Sequence, residues 1–411
     1  MDEPRLALIE PWFGESHAAF LNGLTENMNL PCDLITLRAT KWKWRMRMSA
    51  WILASKIAKL DPWPDVMLVS DYVNLPSLIG FCPRIASTQT AVYFHENQLT
   101  YPLRKGTRRD FEFCAINVLT CLAATRCIFC SRQQMEAFID GIPAFLRHDE
   151  TIDSAQIVAA IQDKSTVIPV GVNMEIFDDA RGVSPDRSGE PLRVIWPHRF
   201  EHDKNPDDFF AVLFELAQEN LPFEVSAVGR SYRDTPPIMD EARERLGDRI
   251  VEWGFLEGSA YAKALAESDV VVSTAWQETL GLAVIEAIRA GCDPLLPNRL
   301  SYPELLGKDL CEKHLYQNKG ELRRRLRWMM RNPDRVRATS NHHTEMDRFS
   351  WKVVAPMFEE MVHECAFVMD EVMDLLLEAG FSQVHYALSP DLGSPIIEAE
   401  DEDRVFFVAS K

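Results

Sequence analysis

At 411 residues the chain is long for one hydrophobic core and suits two domains. Its 44 Lys and Arg against 62 Asp and Glu give a net charge of −18, which argues against general nucleic-acid binding while leaving room for a local basic patch. No apolar run reaches the roughly 18 residues of a membrane span, the acidic start MDEPRLALIEPWF lacks the basic region of a secretory signal, and nine irregularly spaced cysteines suit reduced thiols, so a cytoplasmic protein is expected.

In chain order, LALIEP (6–11), CDLITLRA (32–39), VMLVSD (66–71), TAVYFHEN (90–97), RCIFCS (126–131) and TVIPVGV (166–172) read as strands. Short continuous apolar runs of this kind suit a parallel sheet covered on both faces. SHAAFLNGLTENM and FEFCAINVLTCLAAT between them read as helices, with Ser16 and Ser131 as N-caps. After the first strand, IEPWFGESH puts Gly14, Ser16 and His17 at a helix start, a loop of the kind that lets backbone approach a ligand. There is no GxGxxG, so the usual dinucleotide fingerprint is missing, and a helix residue without a ligand fits His17 as well.

KWKWRMRMSAW (41–51) then concentrates Lys41, Lys43, Arg45 and Arg47 around Trp42 and Trp44. Strand-like alternation would bury the two tryptophans and expose the cations; an exposed rim would present both. RMRMSAWILASKIAKL also reads as an amphipathic basic helix. YFHENQLTYP places His95 at a strand's carboxyl end, followed by Glu96 and Asn97, and RKGTRRD supplies Arg104, Lys105, Arg108 and Arg109 downstream. Cys127 and Cys130 form a CxxC inside an apparent buried strand, with no second pair to complete a zinc site.

RGVSPDRSGEP (181–191) reads as a linker, after which the rhythm restarts. RVIWPHR (193–199), FEVSAVG (223–229), IVEWGFL (250–256), VVVSTAW (270–276) and DPLLP (293–297) are strands; NPDDFFAVLFELAQEN, SAYAKALAESD and TLGLAVIEAIRAG are helices, the last closed by Gly291. Two such α/β halves leave a cleft, with ligands at the carboxyl ends of the strands. Arg199 ends one strand, and Lys204 precedes a helix starting at Asn205-Pro206; two cations there suit a diphosphate, and a charged surface turn is the plain alternative. ETLGLAVIE spaces Glu278 and Glu286 across the start of a helix whose N-terminus offers N–H groups to a phosphate. On spacing alone, two surface glutamates fit as well. The tail from about 350 reads as helix and then as an acidic, turn-rich end without an assigned role. HExxH, GxxxxGK[ST], GxSxG and HxE…PCxxC are absent, and neither Asp61/Asp65 nor EDED (400–403) makes a metal cage.

HRFEHDKNP, VVVSTAWQETLGLAVIEAIRAGCDPLLP and the closing FSW, over about 193–351, resemble the family four retaining glycosyltransferases of the GT-B class. IEPWFGESH, KWKWRMRMSA, YFHENQLTYP, RDFEFCAINVLTCLAA and WPHRFEHDKNP are similar to the tRNA-queuosine mannosyltransferases, over about 1–350. That family commonly has a second glycine where this chain has Glu15.

The resemblance implies an α/β GT-B fold: a Rossmann-like acceptor-side domain (1–185) facing a nucleotide-sugar domain (192–348) across a cleft, a helical segment (349–378) packed back on them, and the tail (379–411). It implies retaining transfer of mannose from GDP-mannose to queuosine in the anticodon of a tRNA of the aspartate type, with no cofactor, no metal and no protein partner. Arg199 and Lys204 would hold the diphosphate, Glu286 the ribose and Glu278 the mannose, with Gly14, Gly229, Phe255, Leu256, Gly281 and Leu282 completing the donor site. His95 would sit by the anomeric centre. His17, Asn97 and the basic-aromatic runs (Lys41, Trp42, Lys43, Trp44, Arg45 and Arg47; Arg104, Lys105, Arg108 and Arg109) would face the tRNA. The rivals are the same fold with a lipid or glycan acceptor, and a non-catalytic nucleotide-sugar or RNA-binding protein.

Overall fold

Each half of the chain builds a six-stranded, all-parallel sheet in this computed structural model, which describes residues 3–103, 106–147, 151–232, 234–366, 383–388 and 405–410. The first sheet contains β1 (Leu6–Phe13), β2 (Cys32–Arg38), β3 (Val66–Ser70), β4 (Gln89–Phe94), β5 (Arg126–Phe129) and β6 (Ser165–Val167), in the order β2-β1-β3-β4-β5-β6. The second contains β7 (Leu192–Trp196), β8 (Phe223–Val228), β9 (Ile250–Gly254), β10 (Val270–Val272), β11 (Asp293–Pro297) and β12 (Leu315–Tyr316), in the order β12-β11-β10-β7-β8-β9. Both are doubly wound. Their direction of growth reverses between β1 and β3 and between β7 and β10, which is where such sheets open a ligand crevice.

Successive residues of β1 show why these strands read as unbroken apolar runs. Leu6 and Leu8 enter one core, Ala7 and Ile9 the other, because side chains alternate across a sheet covered on both faces. TVIPVGV is strand only over 165–167; Val172 then makes an isolated bridge with Ser350. Ser131 is an N-cap, its side chain accepting from the amide of Gln134, whereas Ser16 lies inside the helix Glu15–Asn27 and Gly14 takes the cap position. The stretch after Lys41 is a helix, Trp42–Ile57.

The segment 181–191 is pinned rather than a free linker: Arg187 is buried and pairs with Asp269 at 3.0 Å and Glu224 at 2.8 Å. Other contacts tie the halves together. The hydroxyl of Ser131 donates to the carbonyl of Thr279 (2.5 Å), and Glu304 accepts from the amides of Arg132 (2.9 Å) and Gln133 (3.1 Å). The helix Trp351–Ala366 returns to the first half, where Trp351 fills a slot made by two glycines. A Cβ on Gly23 or Gly171 would come within 2.4 or 2.2 Å of its ring. The rest of the helix expected to 378 lies outside the described residues. The acidic tail, for which the sequence predicts no element, contains an antiparallel pair, β13 (Gln383–Leu388) and β14 (Val405–Ser410).

Candidate active site

A cavity of about 550 Å³ opens between the two sheets at their carboxyl ends, a volume typical of small-molecule sites. The first half contributes His17, His95 and Glu96; the second contributes Arg199, Lys204, Glu278 and Glu286.

Lys204 is buried, and its Nζ donates to the carbonyl of Gln277 at 2.6 Å and lies 3.3 Å from Asp203 and 3.4 Å from Glu278. Burial opposes its charge, but the carboxylates of Glu278 and Asp203 outweigh it, so the ammonium is held. The hydroxyl of Thr274 stitches the turn in place by donating to the carbonyls of Lys204 (3.0 Å) and Asn205 (2.8 Å). Arg199 also keeps its charge despite burial, with Glu96, Glu201 and Asp203 as the opposing carboxylates. Beside these cations the helix Leu282–Ala290 begins at Gly281, which has φ +97° and no side-chain cap; its first N–H groups therefore stay available. A Cβ at Gly281 would come 2.9 Å from Leu305, so both conformation and space select glycine.

Glu286 accepts from the hydroxyl of Tyr261 at 2.9 Å, and burial pushes its carboxyl up to about 7. Phe255 and Leu256 line the same end, with the guanidinium of Arg230 lying 4.1 Å over the Phe255 ring. Arg230 and Tyr261 escaped the sequence reading because neither belongs to a spaced motif. Trp253, just before Phe255 and Leu256 on β9, turns its ring into the core against Phe200 and Phe210. Gly229 lines the cavity, yet its missing side chain is demanded by the carbonyl of His198, which a Cβ would meet at 1.9 Å.

His95 follows β4, and its amide donates to the buried carboxyl of Asp71 at 3.3 Å. Asn117 clamps the loop from below: its amide nitrogen donates to the carbonyl of Asp71 (2.9 Å) and its oxygen accepts from the amide of Gln98 (2.9 Å). The His17 ring lies 4.0 Å from that of His95 and bonds Glu10 at 2.8 Å. Burial disfavours the imidazolium of His17, but Glu10 more than compensates and raises its pKa. Burial, reinforced by charged His17, depresses His95 well below the usual range, so its ring is neutral. Burial likewise raises Asp71 to about 8 and lifts Glu96, against the opposing pull of Arg199 and Lys204.

Several expected contacts fall elsewhere. Gly14 has an extended backbone and is glycine because a Cβ would sit 2.5 Å from that of Ala39; the residue lining the cavity is Glu15. Asn97 turns away into its own loop, accepting from the amide and hydroxyl of Thr100 at 3.0 Å each. Arg47 pairs with Asp110 and Glu112, Arg109 donates to the carbonyls of Gln98 and Tyr101, and Arg45 donates to the carbonyl of Arg38; all three are taken up by the fold. Lys41, Lys43 and Arg108 are exposed, while Arg104 and Lys105 lie outside the described residues. The two tryptophans divide: Trp42 packs on Tyr72 and Phe113, and Trp44 is 63% exposed.

Among the described residues, two groups of metal-ligand type come together from separate elements, which is why the sequence shows no cage: Glu10, His17 and His95, and Asp293, His314 and His342. In the first, Glu10 is already committed to His17 and to the amide of Trp12.

Residues 5–172 match the family described as tRNA-queuosine alpha-mannosyltransferase N-terminal, and residues 183–346 match Glycosyl transferases group 1. The chain is 34% identical over 371 residues to a tRNA-queuosine alpha-mannosyltransferase of Drosophila melanogaster, covering 88% of this chain and 97% of that protein. Its fold is similar to that of sucrose-phosphate synthase from Thermosynechococcus elongatus, with a TM-score of 0.66 at 16% identity over 88% of this chain and 99% of that one. It is also similar to Anabaena HepE in complex with UDP, with a TM-score of 0.63 at 14% identity over 88% and 100%. At such identities the likeness concerns the fold, which is GT-B.

Proposed function

This chain belongs to the tRNA-queuosine alpha-mannosyltransferase family, and from that premise we propose that it moves mannose from GDP-mannose to queuosine in a tRNA anticodon, of the aspartate type, with retention. It is a glycosyltransferase. The observation that carries the reading is convergence: Arg199, Lys204, Glu278 and Glu286 share one cavity with His95.

Breaking the bond from C1 of mannose to the diphosphate places new negative charge on the departing oxygen. Arg199, Lys204 and the N–H groups at the start of helix Leu282–Ala290 are fixed there in advance, so they stabilise that charge without reorganising. The acceptor hydroxyl bonds C1 from the face the phosphate leaves, and its proton passes to the departing diphosphate. Glu286 accepts from the ribose hydroxyls, Glu278 from mannose, and the base lies by Phe255 and Leu256. Neutral His95 borders the anomeric carbon. These charges supply what a divalent ion supplies elsewhere, so the reading includes no metal. A tRNA acceptor and the lack of any long apolar helix among the described residues suit a cytoplasmic location.

The test is a transfer assay with GDP-mannose and tRNA from queuosine-replete or queuosine-deficient cells, read as a hexose mass on digested nucleosides. Addition confined to the replete tRNA is expected. Addition to neither tRNA, with GDP-mannose still hydrolysed, would move the acceptor to a lipid or glycan.

A further inference from the structure

Between Asp33 and Asp61 the chain carries seven cations and no carboxylate, inside a protein of net charge −18. Most of that stretch is the helix Trp42–Ile57. Its inner face buries Met46, Ala50, Leu53 and Ile57. Its outer face carries Trp44, Met48 and Trp51, exposed by 63%, 54% and 63%. The spacing i, i+4, i+7 makes one stripe. A helix apolar on both faces has an unmet partner on the outer one.

From these observations we propose that this outer stripe is the platform on which the unpaired nucleotides beside the modified base of the anticodon loop stack. The inference rests on the tRNA reading above. Two arguments select RNA. The helix begins close to the chemistry: Trp42 lies 6.0 Å from Tyr72, Tyr72 lies 5.0 Å from His17, and His17 lies 4.0 Å from His95. A base delivered to His95 must bring its neighbours past this end of the helix. Charge is the second argument. Exposed Lys41, Lys43 and Lys59 border the stripe, while Arg47 is neutralised by Asp110 and Glu112 and Lys56 donates to the carbonyl of Thr36. Cations beside flat aromatic faces match single-stranded phosphates and unstacked bases. A second copy docking by this same face would set the cations against themselves.

The experiment measures binding of an unmodified anticodon stem-loop by fluorescence anisotropy, which is independent of turnover. Trp44→Leu with Trp51→Leu keeps apolar bulk but removes stacking, and should weaken binding by at least about tenfold, since each stacked base is worth roughly 1–3 kcal/mol. Trp44→Phe with Trp51→Phe should recover most of it. Lys41→Ala with Lys43→Ala should flatten the salt dependence by roughly one to two in log–log slope. Leu variants that bind within twofold of wild type would overturn the inference, as would tryptophan-dependent flotation with anionic vesicles or a tryptophan-dependent dimer. Loss of RNA binding in the Leu variants alongside a wild type that transfers no mannose would sink the proposed activity and leave the platform standing.

Discussion

The hydroxyl of Tyr232, from the second half of the chain, donates across the cleft to both carboxylate oxygens of Glu15, from the first, at 3.1 and 3.3 Å. Glu15 holds this position at φ +48°, a left-handed conformation costing a non-glycine residue roughly 1–2 kcal/mol. The resemblance to the family also leads one to expect glycine here. The carboxylate thus occupies the rim of a cavity whose far wall holds Arg199 and Lys204. Glu15→Gly should relieve the strain and remove a charge that repels the incoming diphosphate. We expect a donor Kd lower by a few fold in calorimetry, with Tyr232→Phe closer to wild type. A weaker donor in Glu15→Gly would show that the carboxylate contributes to binding instead.

Lys204 sits among Asp203, Glu278 and the Gln277 carbonyl. Lys204→Met removes the cation from the departing diphosphate, and kcat/KM should fall by about 10²-fold or more. Lys204→Arg should restore part of the rate. Steady-state kinetics beside a thermal melt separates chemistry from unfolding, since Met also leaves buried carboxylates unpaired. A folded Met variant within threefold of wild type would remove Lys204 from the mechanism.

The Glu286 carboxyl, lifted to about 7 by burial, gives the donor step a pH dependence. Above pH 7 it is ionised and, on the proposed reading, would accept from the ribose hydroxyls; below, the added proton removes acceptor capacity. The donor KM should therefore rise as pH falls from 8 to 6, and Glu286→Gln should flatten that limb. The sign for stability is opposite. The folded state holds a proton that the unfolded chain, near 4.5, has released, so this group's contribution declines as pH rises from 4.5 to about 7.

On the proposed reading, the fixed cations and the helix N-terminus that line the cavity would carry the diphosphate's charge, so chelation should leave transfer unchanged. An assay with excess EDTA checks this. Loss of activity, restored by a divalent ion, would instead direct attention to the Glu10, His17 and His95 group.

Much of this site was legible in the chain. Arg199, Lys204, Glu278 and Glu286 were readable because each lies at a strand end or a helix start, places that a local apolar rhythm already marks. The helix Trp42–Ile57 was harder to read as such: apolar residues on both its faces blur the 3.6 period, and alternating Lys and Trp at its start imitates a strand. Gly14 looked like a ligand loop and proved to be a packing contact with Ala39.

The linear pattern determined the two parallel sheets, the cleft between them and the charges along its second wall, because burial on both faces imposes continuous apolar strands and leaves polar residues at their ends. The partners that tune those charges came only with the tertiary structure. Asp71 meets the amide of His95 across 24 residues, Asn117 reaches the Asp71 carbonyl across 46, and Tyr232 reaches Glu15 across 217. Hydrogen bonds and Coulomb forces act over a few ångströms of space, and no local periodicity records which distant residues the fold will bring that close.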